Sequence, residues 1–152
     1  ADTSAGFLNE REFESGGAGL VSTTRDYLRF SQMLLNGGEL DGVRILSPKT
    51  IQFMTSNHVG HLPAPRGAPG YGFGLGFGVT TDPAAVGVIG SAGEYSWGGA
   101  AGTRFWVDPA EGLVGIFMSK SIPNRVWLAD HFKALTYSAM TKSQLSAPRE
   151  RL

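Results

Sequence analysis

Between residues 71 and 79 the chain alternates with a period of two: Tyr71, Phe73, Leu75, Phe77 and Val79 are separated by Gly72, Gly74, Gly76 and Gly78. That period puts successive side chains on opposite faces and predicts one strand from Tyr71 to Val79, bulky on one face and bare on the other. The bare face needs a closely packed cover, because glycine otherwise brings only an entropic cost. A helical period holds earlier. Thr23 is placed to cap a helix, with Asp26 three residues on, and Tyr27, Phe30 and Leu34 form an apolar stripe widened by Leu28 and Leu35. Asn36-Gly37-Gly38 ends it, glycine supplying the left-handed position that closes many helices. Asp41-Gly42 predicts a two-residue hairpin, and Ser47-Pro48 opens a short helix with Ile51 and Met54 inward.

The remaining pattern is shorter-ranged. Residues 1–15 read as coil or a short strand around Phe7-Leu8, followed by a small-residue bend at Ser15–Leu20. Residues 57–70, with Pro63, Pro65, Gly67, Pro69 and Gly70, predict a long surface loop and a candidate functional rim. Strands are expected at Val86–Ile89, Ala100–Val107 and Leu113–Ser119, the last two joined by a turn at Asp108–Gly112. After Pro123, Asn124 is placed to cap a helix whose stripe runs Leu128, Phe132, Leu135 and Ala139. From Ser143 the chain reads as a polar tail, which divides it into a domain at 1–142 and a tail at 143–152. Helix, small elements, successive strands and a final helix make an α+β fold, an antiparallel sheet packed by helices.

Composition narrows the functional classes. The 152 residues are enough for one domain with a real core, and 13 basic side chains balance 13 acidic ones. No basic patch therefore argues for nucleic acid or an anionic membrane as partner. Charged residues make up 17% of the chain, against about 25% in typical soluble domains, which suits a surface partly covered by something else. There is no Cys, so disulfides and thiolate metal sites are ruled out. No apolar run approaches the roughly 20 residues of a membrane-spanning helix. A soluble protein is expected, with cytoplasm and periplasm both open. Ala1 stands where an initiator Met would, which suggests a cut or processed end.

Nucleophile motifs are missing. The chain contains no Ser-x-x-Lys, and Ser91 lacks the first glycine of Gly-x-Ser-x-Gly because Ile89 stands there. Ser91 and Ser96 read as ordinary hydroxyls. His58 and His61 lie in the Pro-rich loop without a neighbouring carboxylate or thiol, and His131 lies off the apolar stripe of its helix, so no metal site is expected. Glu94 and Asp108 read as a strand-end charge and a turn residue. What needs explaining is Trp97-Gly98-Gly99-Ala100, because a glycine pair in a strand packs nothing. One reading is a bulge at a sheet corner with a packed Trp. The other is a strand edge lining a cleft, whose bare backbone offers an N–H to a developing oxyanion.

The run Ser91–Asp108 resembles the third motif region of the serine β-lactamase and penicillin-binding-protein-like superfamily. Its closest likeness is to the branch that holds class C β-lactamases and family VIII carboxylesterases. In that branch a strand carries Lys-Thr-Gly, His-x-Gly or Trp-Gly-Gly, then an aromatic strand and an Asp-Pro turn. Here the pieces are Trp97-Gly98-Gly99, Phe105-Trp106-Val107 and Asp108-Pro109. Gly16–Thr23 with Asp26-Tyr27, and Pro69–Gly76, resemble the same branch, so the likeness spans roughly residues 7–140. The resemblance implies the C-terminal part of a transpeptidase-like fold. It further implies that Ala100 supplies one oxyanion-hole N–H, with Trp97, Gly98, Gly99 and Tyr95 around the substrate and no cofactor. Trp rather than Lys at position 97 removes a partner for a β-lactam carboxylate and points to ester hydrolysis. The family's Ser-x-x-Lys and Tyr-x-Asn/Ser motifs are both absent from this chain. The expectation is therefore part of a serine hydrolase acting through an acyl-enzyme on a small ester or amide. It would be inactive alone, and would either join the N-terminal portion of the same enzyme or self-associate. A catalytically inactive binding module of the same fold is the alternative.

Overall fold

A computed structural model describes residues 20–62, 69–121 and 126–144. The expectations for residues 1–15, the bend at 15–19, the Asn124 cap, the middle of the Pro-rich loop and the tail beyond 144 fall outside these residues. Helix α1 spans Thr24–Leu35, with the Thr23 side chain accepting from Asp26 N–H as its cap. The hairpin of β1 (Glu39–Leu40) and β2 (Val43–Arg44) turns on Asp41 and Gly42, both at positive φ, as an Asp-Gly pair favours. Helix α2 (Pro48–Met54) starts at a Ser47 cap and buries Ile51.

A five-stranded antiparallel sheet follows in the order β3-β4-β5-β6-β7. The strands are β3 (Tyr71–Phe73), β4 (Gly78–Thr80), β5 (Tyr95–Gly98), β6 (Arg104–Asp108) and β7 (Leu113–Phe117). The glycine-alternating run is thus a tight hairpin and not one strand: Phe73 pairs with Gly78, and Gly76 at φ +89° makes the turn. Its bare positions are covered as the pattern required. A Cβ on Gly72 would overlap the Asn57 side chain, and one on Gly74 would overlap the carbonyl of Met54. The strand expected at Val86–Ile89 does not form: Val86 ends a short helix α3 (Pro83–Val86), and residues 87–89 are turn and bend. Asp82 caps the helix by accepting from Ala84 and Ala85 N–H, and Gly87 closes it in the left-handed region. The strand expected from Ala100 starts only at Arg104, because Gly99 to Gly102 form a turn between β5 and β6.

The sheet carries helices on both faces, and β6 is buried along its whole length between them. On one face Val79, Tyr95, Phe105 and Val107 pack with Phe77 against Met33 and Leu34 of α1 and Ile51 of α2. The α1 stripe is rotated from the expected one: Ser31 is fully buried while Leu28 and Phe30 remain exposed. Ser31 tolerates burial because its hydroxyl donates to the Tyr27 carbonyl, and its small size lets the helix sit close. On the other face lies α4 (Val126–Ser138), with Phe132 against the rings of Trp106 and Phe117. Its stripe also departs from expectation, for Leu135 is 70% exposed while Ala129 and Lys133 are buried. A polar cluster under the helix draws Lys133 inward. At the sheet's two edges the chain behaves differently. The β3 edge is covered by His58 N–H donating to the Phe73 carbonyl and by Asn57, whereas among the described residues β7 pairs with β6 alone.

Candidate active site

At the Trp97 end of the sheet, on the face shared with α1, lies a cleft of about 430 Å³. Its walls come from Leu20, Tyr27, Phe105 and Met118, and from the Trp97-Gly98-Gly99 backbone with Thr103. The register explains the assembly. Trp97 lies directly opposite Phe105, and Phe105 meets the Tyr27 ring of α1 edge-on at 5.0 Å. Trp97 itself is 39% exposed and packs edge-on against Phe73 at 5.3 Å, so one side is fixed and the other faces the opening. Burial raises the Tyr27 phenol above its ordinary range, which keeps it a neutral donor.

The turn after β5 is held from several directions. Gly99 N–H donates to the Thr103 carbonyl at 2.9 Å and Gly102 N–H to the Gly99 carbonyl at 3.1 Å. The Ala101 carbonyl accepts from Ser121 N–H at 2.8 Å and from the Ser119 hydroxyl at 3.3 Å. Gly102 takes φ +87°, and a Cβ on Gly99 would come within 2.6 Å of the Thr103 hydroxyl. Ala100 sits exposed in this fixed turn, and its N–H has no hydrogen-bond partner among the described residues.

Of the expected site residues, Trp97, Gly98 and Gly99 line the cleft, and neither Ala100 nor Tyr95 is among its lining residues. Tyr95 shares a face with Trp97 but is 1% exposed, packed on Phe77 at 5.3 Å. The middle of the sheet is covered by α1 and α2, so only its end is open. Arg104 reaches the rim, yet its guanidinium donates to Asp130 of α4 at 3.1 Å on the opposite face. Tyr27, Thr103 and Met118 were not singled out by sequence. Thr103 and Met118 could have been reached by extending the β6–β7 register one residue past Arg104 and Phe117, but Tyr27 arrives through tertiary packing alone.

The second unpredicted feature is a buried polar cluster. Glu94 and Asp108, read from sequence as a strand-end charge and a turn residue, are 1% and 0% exposed. Lys133 of α4 donates to Glu94 Oε1 at 2.5 Å, and the Tyr137 hydroxyl lies 3.0 Å from Glu94 Oε2 and 2.7 Å from Asp108 Oδ2. Asp108 Oδ1 also accepts from Ala110 and Glu111 N–H, so its turn role is real but partial. The signal in sequence was Lys133 and Tyr137, four apart, interrupting an apolar helix. His58 and His131 are exposed, with ring nitrogens 2.7 Å from the carbonyls of Phe53 and Trp127. Among the described residues no group of three or more His, Cys, Asp or Glu is placed to hold a metal ion. No described helix is long and apolar enough to cross a membrane.

Residues 2–135 match the family model described as Beta-lactamase. Protein Rv1367c of Mycobacterium tuberculosis is 40% identical over 121 residues, which is 74% of this chain and 30% of that protein. Esterase EstB of Burkholderia gladioli is 33% identical over 121 residues, 76% of this chain and 29% of the esterase. Among solved structures, EstCE1, a hydrolase with promiscuous acyltransferase activity, superposes with a TM-score of 0.74 at 27% identity, covering 85% of this chain and 33% of its own. Simvastatin synthase (LovD) from Aspergillus terreus shares the fold, with a TM-score of 0.73 at 21% identity over 93% of this chain and 40% of its own. The chain thus spans about a third of the length of the proteins it matches.

Proposed function

The chain belongs to the beta-lactamase family, and from that premise we propose that it forms the oxyanion-side wall of a serine esterase. The observation that carries this reading is the Ala100 N–H, held without a partner among the described residues in the turn that directly follows the cleft-lining Trp97, Gly98 and Gly99. In the complete enzyme a serine from a Ser-x-x-Lys motif attacks the ester carbonyl, and the carbonyl oxygen gains negative charge. The Ala100 N–H and the N–H of that serine donate to it, and Trp97 walls the pocket around the acyl or alcohol group. Such donors act by stabilising charge that exists only in the transition state. The described cleft offers aromatic and apolar walls, and Arg104 is committed to Asp130, which favours an uncharged ester over a substrate carrying a carboxylate.

Neither the Ser-x-x-Lys nor the Tyr-x-Asn/Ser motif lies in these 152 residues, so in this reading they supply only one side of the site. The edge of β7 is the place we assign to assembly with the rest of it. Its backbone groups, which pair with no further strand among the described residues, take either a strand of the nucleophile-bearing portion or the same edge of a second copy. The test is reconstitution. The chain alone is expected to hydrolyse p-nitrophenyl esters no faster than buffer and to self-associate in light scattering. Mixed with a nucleophile-bearing portion it is expected to turn over and to lose that self-association. Turnover by the pure chain would overturn the proposed division of the site, and a stable monomer would overturn the role of the edge.

A further inference from the structure

The cluster between the sheet and α4 contains one hydrogen too few for its contacts. The Tyr137 hydroxyl is within hydrogen-bond distance of two carboxylate oxygens, Glu94 Oε2 at 3.0 Å and Asp108 Oδ2 at 2.7 Å. A phenol has a single hydrogen and can donate to only one of them. If both carboxyls are ionised, the other contact brings two lone-pair-bearing oxygens together and is repulsive. A carboxyl hydrogen resolves the conflict, because the protonated group then donates to the phenol oxygen while the phenol donates onward.

Charge counting leads to the same point by an independent route. Glu94, Asp108 and Lys133 are all buried, and together they bring two negative charges against one positive. No other described charge reaches in to balance them. Arg104 of β6 is matched by Asp130 of α4 at 3.1 Å. The two oxygens of Glu111, in the β6–β7 turn, accept from the Ser143 hydroxyl and Gln144 N–H. Lys142 is exposed, and lines a cavity of about 410 Å³ that also reaches Tyr137. A net buried charge is costly in low dielectric, and one added proton removes it. Gly90 packs directly on the ion pair. A Cβ placed on Gly90 would come within 2.5 Å of Glu94 Oε2 and 3.1 Å of Lys133 Nζ.

We propose that Glu94 holds a proton against the Tyr137 hydroxyl, which in turn donates to Asp108, making the attachment of α4 to the sheet a pH-dependent clasp. The environment agrees. Burial raises the Glu94 carboxyl above the ordinary carboxylate range, the Asp108 charge adds to this, and Lys133 and the Tyr137 hydrogen bond oppose it without cancelling it. The Tyr137 phenol is itself pushed well up by burial and by both carboxylates, so it relays as a neutral group. The cavity that Tyr137 lines gives the cluster a route for proton exchange with solvent. Because Glu94 immediately precedes β5, loosening the clasp acts on the strand that carries Trp97.

The sign follows from linkage. A carboxyl whose folded pKa is raised binds a proton that the unfolded chain has released, so its stabilisation is complete at acid pH and is lost as pH rises through the folded value. In that window the unfolding equilibrium constant increases by up to about tenfold per pH unit for one such proton. The deciding experiment is infrared difference spectroscopy of the chain near neutral pH. A carbonyl stretch of a protonated carboxylic acid is expected in the wild-type protein and is expected to vanish in Glu94→Gln, whose amide supplies the hydrogen without a proton. Denaturant unfolding should show stability lost as pH rises through the folded value in the wild type and a flatter profile in Glu94→Gln. Absence of the protonated-carboxyl band from the wild-type spectrum overturns the proposal, whether or not the variant folds. Persistence of the band unchanged in a folded Glu94→Gln overturns it equally.

Discussion

Lys133→Met is a perturbation whose cost can be worked through from the structure. Lys133 and Glu94 form an ion pair with side chains 4% and 1% exposed, so removing the ammonium strands a carboxylate away from water. Methionine keeps much of the stem that packs near Trp106 and Tyr137, which limits the loss of packing. Breaking one partner of a buried pair costs about 3–5 kcal/mol. The carboxylate has an escape, which is to bind a proton, and this sets a ceiling on the electrostatic part. Protonating a carboxyl of ordinary pKa near neutral pH costs roughly 3.7 kcal/mol, falling to about 1 kcal/mol two pH units lower. The expected destabilisation is therefore about 3–4 kcal/mol near neutral pH and much less in mild acid. The control is Arg29→Met, whose pair with Asp41 has side chains 54% and 65% exposed and should be worth at most about 1 kcal/mol. Urea unfolding at both pH values measures this. A Lys133→Met protein within about 1 kcal/mol of wild type near neutral pH would refute the claim that the cluster is buried and electrostatically coupled.

Two further substitutions separate packing from function. Gly115→Ala places a Cβ into the ring of Trp106, itself held by Phe132. Overpacking should destabilise by roughly 1–3 kcal/mol, despite the modest entropic gain of replacing glycine. A double-mutant cycle with Trp106→Phe should recover part of that cost, because the smaller ring withdraws from the Cβ and the indole N–H has no partner among the described residues to lose; strict additivity would argue against the clash. In the assembled enzyme, Trp97→Ala should change KM or the range of esters accepted with a small change in melting temperature. A large melting loss with unchanged specificity would make Trp97 a packing residue.

Periodicity showed most of this architecture, and the departures have identifiable causes. Caps and turns with strong local chemistry (Thr23, Asp41-Gly42, Ser47-Pro48) form where the residues required, because side-chain and backbone groups decide them within a few positions. The Tyr71–Val79 run shows the limit. Alternation demanded extended backbone, which both β3 and β4 have, but it could not register that Gly76 folds the run back on itself. Val86–Ile89 looked like a strand by side-chain type, yet Asp82-Pro83 supplies a helix cap and start that outweigh it over four residues. Both helix stripes were rotated for one reason. Ser31, Lys133 and Tyr137 are polar, and their inward orientation depends on hydrogen-bond partners distant in sequence or hidden in the backbone. At the site, Trp97-Gly98-Gly99-Ala100 was conspicuous because glycine in a strand demands an explanation. Tyr27 was not, because nothing local links an α1 residue to that turn.

The central claim is that the Ala100 N–H stabilises an oxyanion, and its most direct test removes that hydrogen. Replacing Ala100 by its α-hydroxy analogue turns the amide into a backbone ester with the same side chain; it also weakens the Gly99 carbonyl that accepts from Gly102 N–H, so the melting temperature is the control for the turn. Ester turnover by the assembled enzyme should then show kcat reduced by about 10²–10³-fold with KM little changed, as expected for an interaction made only in the transition state. An unchanged kcat in a protein of unchanged melting temperature would contradict the account and leave the glycine pair as a feature of packing.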